Sequence, residues 1–444
     1  MSPPTPAGTA TRTPPREATG AGTTELAEVP MRRTVPEDHG PVRFGPPLPD
    51  DGLPVPAELS AVLAAAAGRT GQDPVGGAPA LLDAARGYWE RRGLPTDPGD
   101  IAAAPGAPPL LLALTAALGG DVLVPRPCAA WWAPYARLLG RPVFHVATPA
   151  ECGGVPDPYA LLETVRRVRA EGGEPRLLVL SVADDPTGTV APPEVLHEAV
   201  EAAVAEGLHV VADETWRDTV HDPHDPRGTV LIGPAEMLPE HVTVVSDLAG
   251  ALLPPGWPAA VARFPATTAG HRLHARVLDV LTALGARLAA PVTTAAAYAL
   301  AEPEPVVAHR TAAVRLHARV AAAAHATVTG AGALSLPPRA GRHLYADLGP
   351  LRVALAARGV GDAQELEDFL TARLGMPAPG GHRFGDDLAA LRVRLSTGPL
   401  LGSADERRAA CPATPDPPGP HRALDDLTSV FDELHDDRRW EPSR

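Results

Sequence analysis

Three strand-like runs end in groups that could do chemistry. Arg176 to Ser181 leads into Asp184-Asp185-Pro186-Thr187-Gly188, His209 to Ala212 into Asp213-Glu214-Thr215-Trp216, and Val242 to Ser246 into a glycine- and proline-rich segment from Asp247 to Pro258. An open parallel sheet gathers its ligand crevice outside the carboxyl ends of its strands, so these three ends belong on one edge. A carboxylate closing a buried strand, as Asp213 does, is a candidate charged group at such a crevice; the same residue type also closes strands for structural reasons. Asp185 reads both as a candidate acceptor and as part of a turn. Farther on, Arg394 lies in Leu391-Arg392-Val393-Arg394-Leu395-Ser396-Thr397, where a planar guanidinium could grip a carboxylate by two parallel bonds. Arg392 points to the opposite face of that strand.

Other chemistries lack their residues. His221-Asp222-Pro223-His224-Asp225 has histidines and acids but no helical i, i+4 pairing, and no metal site is expected there. The chain has no Gly-x-Ser-x-Gly elbow, no Gly-x-x-x-x-Gly-Lys loop and no glycine triplet at a strand-helix junction, which removes hydrolase, kinase and dehydrogenase sites.

The elements that must position these groups alternate between helical and strand patterns, as in a parallel α/β sheet. Leu110 to Leu118 and Trp131 to Leu139 read as helices, Asp121 to Val124 and Pro142 to His145 as strands, and Pro193 to Glu206 as a helix opened by proline. Beyond about residue 270 helices dominate, at His271 to Leu288 and Val306 to Ala324, with strand pieces at His343 to Asp347 and Leu391 to Leu395. Ala423 to His435 places Leu424, Leu427, Val430, Phe431 and Leu434 on one helical face. Ile101 to Gly120 is uncharged, but its prolines and alanines make it a buried loop and helix rather than a membrane span. The predicted organisation is a disordered arm over 1–42, a large α/β domain over 43–290, a smaller α+β domain over 291–400, a proline-rich linker over 401–420, and a terminal helix and tail over 421–444.

Composition narrows the partners. The 444 residues are 45% hydrophobic and 21% charged, with a formal charge of −14, and their arginines are spread along the chain as single residues and isolated pairs. That is not a nucleic-acid footprint. Three cysteines, Cys128, Cys152 and Cys411, show neither an even count nor CxxC spacing, which fits a reducing cytoplasm; the first residues carry no apolar export segment. All 39 basic residues are arginine, and the chain contains no lysine.

From about Phe44 to Thr397 the chain resembles the class I/II aminotransferases, the fold-type I pyridoxal-phosphate enzymes. The resemblance rests on the order of Asp185-Pro186-Thr187-Gly188, Asp213-Glu214-Thr215-Trp216, the Ser246 to Trp257 segment and the Arg394 strand, with Asp73 to Leu82 resembling a helix start of that family. It implies a large domain with a mainly parallel sheet plus a smaller α+β domain, and a site shared between the subunits of a dimer. It further implies that Asp213 faces the pyridine nitrogen, that Asp185 stands where an asparagine meets the phenolate oxygen, that Trp216 replaces a tyrosine, and that Arg394 takes the substrate carboxylate.

The family's phosphate cup falls at Gly106-Ala107, followed by Pro108 and Pro109, which have no N–H to give. Ser246 is left as a hydroxyl donor, Pro258 stands where an arginine is expected, and the stacking aromatic falls at Ala129 with Trp131 or Trp132 adjacent. The Schiff-base lysine falls at Ala249 or Gly250. Covalent attachment of pyridoxal phosphate to a lysine is therefore impossible. The expectation is a family member that does not perform ordinary transamination and serves as a noncatalytic partner, as a homodimer or with an intact homologue, or binds an amino-acid-like carboxylate. The alternative is an enzyme holding the cofactor or its amine form noncovalently, with a base from a partner chain or the substrate.

Overall fold

A seven-stranded sheet carries the polar strand ends on one edge. The computed structural model describes residues 42–49, 52–222, 231–402 and 421–439. The arm predicted over 1–42 therefore lies outside the described residues except for Val42, as does the linker over 401–420 except for Leu401 and Gly402. In chain order the elements are α1 (Ala57–Ala66), α2 (Pro79–Glu90), β1 (Ile101–Ala104), α3 (Ala107–Leu118), β2 (Asp121–Arg126), α4 (Trp132–Leu138), β3 (Val143–Ala147), α5 (Pro158–Ala170), β4 (Pro175–Ser181), α6 (Pro193–Ala205), β5 (His209–Asp213), α7 (Pro234–Met237), β6 (Val242–Asp247) and β7 (Ala260–Arg263). There follow α8 (Thr268–Ala283), α9 (Ala290–Leu300), α10 (Glu304–Gly330), β8 (Leu334–Ser335), β9 (His343–Asp347), α11 (Arg352–Ala356), α12 (Ala363–Leu374), β10 (Arg392–Ser396), α13 (Thr397–Leu400) and α14 (His421–Arg439).

The large sheet runs in the order β1-β7-β6-β5-β4-β2-β3, parallel except for β7, which is antiparallel to both neighbours. Strands β4, β5 and β6 are near-continuous runs of Val, Leu and Ala because both faces of a parallel sheet are covered. One face packs Leu81, Leu161, Leu196 and Ala295 from α2, α5, α6 and α9; the other packs Leu110, Leu114, Trp132 and Val277 from α3, α4 and α8. A second, antiparallel sheet, β10-β9-β8, buries its own core against Leu316, Leu366 and Phe431 from α10, α12 and α14. The described chain from Arg43 onward is one compact unit containing both sheets.

Two local expectations are corrected. Ile101–Ala104 is a fully buried strand rather than a loop; four small residues between two covered faces show no alternation to read. The helix expected to reach Leu288 ends at Ala283, because Gly285 enters the left-handed region at φ 62° and a new helix starts at Ala290. Among the described residues no helix is long and apolar enough to cross a membrane. Cys128 and Cys152 are free and buried.

Helix α14 holds Leu427, Phe431 and Leu434 essentially free of solvent contact, on the face its periodicity specified. Phe431→Ala should lower the unfolding free energy by about 3–5 kcal/mol in chemical denaturation. A loss below about 1 kcal/mol would show that α14 does not belong to this core.

Candidate functional site

Strands β4, β5 and β6 run parallel, so Asp185, Asp213 and Asp247 emerge on the same edge as Gly106 after β1. There Asp185, Asp247 and Gly106 border a cavity of about 410 Å³. Its walls divide into two groups. One comprises Gly106, Asp247 and Pro258; the other comprises Asp185, Trp216, Arg342, His343 and Arg394, with Trp131 and Tyr135 adding aromatic surface.

The second group joins the two sheets. Arg394 Nη1 on β10 donates to Asp185 Oδ1 at 2.9 Å, and both residues are buried. The Arg394 guanidinium also stands 4.8 Å from the Phe384 ring centroid, a cation–π distance. Its Nε has no hydrogen-bond acceptor among the described residues. The Trp216 ring meets His343 edge to face at 5.0 Å, with the Arg342 guanidinium 5.8 Å from the indole centroid. Arg392, on the other strand face, pairs with Asp347 and Asp386.

The loop after β5 is held from several sides. Arg217 bridges Glu214 and Glu236, while Asp218 accepts from Tyr88 and Arg92. Arg92 also pairs with Glu302, whose carboxyl sits at about 2; burial opposes ionisation there, but Arg92, Arg310 and Arg91 outweigh it. That restraint matters for Gly250. A Cβ added at Gly250 would fall 2.1 Å from the Thr215 carbonyl oxygen and 2.8 Å from Thr215 Cγ2, so position 250 has no room for a lysine stem. Ala249 lines the cavity beside it.

Asp213 is buried, and both its oxygens are engaged: Oδ2 accepts from Trp132 Nε1 at 3.0 Å and Oδ1 from the Thr215 N–H at 3.0 Å. It is not among the described residues lining the cavity. The adjacent tryptophans separate, since Trp131 forms cavity wall while Trp132 turns inward to Asp213; Ala129 is buried away from the lining. Ser246 is buried in β6, opposite Val261, and the residue after it reaches the cavity instead. Ala107 contributes its N–H, which donates to Asp247 Oδ2 at 2.7 Å. Of the sequence candidates, the structure thus brings Asp185, Trp216, Gly106 and Arg394 together at the cavity, and leaves Ala107, Asp213 and Ser246 outside the lining, Ala107 meeting it only through its N–H bond to Asp247.

Asp247, Arg342, His343, Tyr135 and Thr215 line this cavity without having been singled out by sequence. Asp247 had a signal: it stands two residues before an N–H that its side chain accepts, an N-cap pattern hidden in a glycine- and proline-rich run. Arg342 and His343 had none, because only the packing of β9 and β10 against the large sheet brings them to the same cavity as Arg394. His221 bonds the Pro338 and Gly341 carbonyls, His224 and Asp225 lie outside the described residues, and no metal-ligating group occurs among the described residues.

Covalently attached pyridoxal phosphate, the form implied by the resemblance, does not fit these residues. There is no lysine, position 250 is closed by Thr215, and Asp213 is already engaged by Trp132 and Thr215.

Burial pushes the Asp213 carboxyl up to about 6; hydrogen bonds from Thr215 and Trp132 oppose the shift and nearby Asp185 adds to it. The folded state thus keeps this proton longer than an unfolded chain, whose carboxyl titrates near about 4, so Asp213 costs stability as pH rises between those values. Asp213→Asn should gain thermal stability relative to the unsubstituted protein between about pH 4 and about pH 6, with a level difference above about pH 7. A difference constant across that range would contradict the assignment.

Comparison with known proteins accords with this architecture. Residues 48–351 match the family model for aminotransferase class I and II. Over 216 residues the chain is 31% identical to the aspartate/prephenate aminotransferase of Thermus thermophilus, covering 47% of this chain and 52% of that protein. Over 217 residues it is 30% identical to the probable aspartate/prephenate aminotransferase of Thermus aquaticus, with the same coverage of 47% and 52%. The chain spans about half the length of these curated relatives. Among solved structures, aspartate aminotransferase from Thermus thermophilus with maleate superposes with a TM-score of 0.68 at 23% identity, over 87% of this chain and 90% of that one. Aromatic aminotransferase from Pyrococcus horikoshii OT3 gives 0.69 at 18% identity, over 88% and 95%. At those identities the likeness shows the fold, fold-type I, and with the family match over residues 48–351 the chain belongs to the class I and II aminotransferases.

Proposed function

We propose that this family member does not carry out ordinary pyridoxal-phosphate-dependent transamination, and that its cavity binds an amino-acid-like carboxylate. The observation that carries the first half is the closure of Gly250 by the Thr215 carbonyl in a chain without lysine. Imine chemistry needs a primary amine aimed into the site; the chain has no side-chain amine, and position 250 has no space for a lysine stem. The second half is supported by Arg394, which spends Nη1 on Asp185 and keeps an Nε without an acceptor. A buried guanidinium with spare donors favours a planar anion. In this reading the protein works as a dimer, with itself or with an intact homologue, in a reducing cytoplasm; two free buried cysteines agree with that compartment.

Purified protein mixed with pyridoxal phosphate should develop no internal-aldimine absorbance and transfer no amino group between an amino acid and a keto acid. Amino transfer at enzymic rates by protein free of contaminants would overturn the reading. Gly250→Lys should not restore it, and should lower stability by about 1–3 kcal/mol through overpacking against Thr215.

The ligand half has its own test. An L-amino acid series should raise the melting temperature, and the neutral pair Asp185→Asn with Arg394→Gln should abolish the shift while the protein remains folded. An undiminished shift in that double variant would place the carboxylate elsewhere.

A further inference from the structure

Helix α3 starts with the geometry of an anion site but is supplied with an anion from within. Gly106, at φ 92°, turns the chain into the helix, and a first turn normally presents several unpaired N–H groups. Here the first three helical positions are Ala107, Pro108 and Pro109, which leaves one N–H. That N–H donates to Asp247 Oδ2 at 2.7 Å, across 140 positions of sequence. Asp247 is itself fixed, because Oδ1 accepts from the Ala249 N–H at 3.0 Å and its own N–H donates to Thr215 Oγ1 at 3.1 Å. A Cβ built on Gly106 would lie 3.4 Å from Asp247 Oδ2 and 3.9 Å from Pro258 Cβ, so a carboxylate and an apolar ring border the spot.

We propose that Asp247 is an internal anion occupying the position a ligand phosphate would take, so that this cavity excludes phosphorylated ligands and receives a neutral or ammonium group at that end. A phosphate brought there would meet a carboxylate already holding the helix N–H, with Pro258 offering no countercharge. Asp185 adds a second carboxylate to the same cavity, paired there with Arg394. With Arg394 at the other group of walls, the ligand class is an unphosphorylated amine that also carries a carboxylate. This rests on the functional reading above and sharpens it.

Pyridoxamine 5′-phosphate and pyridoxamine form a matched pair differing by the phosphate, and neither is an aldehyde that could react with the chain's α-amine. Equilibrium dialysis of both, at constant ionic strength, against the unsubstituted protein, Asp247→Ser and Asp247→Asn tests the proposal. The unsubstituted protein should hold the phosphate ester no more tightly than pyridoxamine. Asp247→Ser should gain affinity for the ester by at least about tenfold with pyridoxamine little changed, as expected when a like charge is removed beside the phosphate. Asp247→Asn, closest in shape, should move in the same direction, and cooperative thermal unfolding checks that each variant is folded.

Tighter retention of the ester by the unsubstituted protein would overturn the proposal. So would the absence of any gain in both folded variants. Either result leaves the functional reading intact so long as no amino transfer is seen; amino transfer would overturn that reading without touching the role of Asp247.

Discussion

The bond from the Ala107 N–H to the Asp247 carboxylate fixes what the cavity can accommodate. It joins the start of α3 to the end of β6 and puts a negative charge at the positive end of a helix, where such a charge is stabilising. Two prolines in the first turn remove the competing donors. The helix terminus is thereby satisfied by the protein itself. Thr215 extends the arrangement, linking Asp247 through its hydroxyl and Asp213 through its N–H. Asp213 in turn takes the indole N–H of Trp132.

The same pattern holds at the other group of lining residues. Asp185, at the end of β4, and Arg394, on the strand of the second sheet, neutralise one another where each would otherwise face a ligand. A buried pair of this kind is weak evidence for added stability, but removing one partner leaves a buried charge without compensation. The pair therefore fixes the relation of the two walls as long as both residues are present. Arg394 nonetheless retains donors, which distinguishes this wall from the Asp247 end, where the one available first-turn N–H is already used.

Much of the fold was legible because its determinants are periodic. The strands that end at Ser181, Asp213 and Asp247 announce themselves as short Val- and Leu-rich runs, and the Leu427, Phe431 and Leu434 stripe is core in fact. The short strand Ile101–Ala104 was not legible, since alanines packed on both faces carry no alternation. At the site, the missing lysine, the prolines after Ala107 and the position of Arg394 could be read directly. The closure of Gly250 could not, because it comes from a backbone carbonyl 35 positions earlier, held in place by ion pairs around Arg217 and Asp218. Nor could the divergence of Trp131 and Trp132, which depends on where α4 begins.

The central question at this site is whether the walls of the cavity bond to one another in preference to a phosphorylated cofactor. Crystals of the protein soaked in pyridoxal phosphate answer that directly. The account predicts that Asp247 Oδ2 stays within hydrogen-bond distance of the Ala107 N–H, with no cofactor density at the start of α3. Density for a phosphate at that helix terminus, with Asp247 swung away, would contradict it.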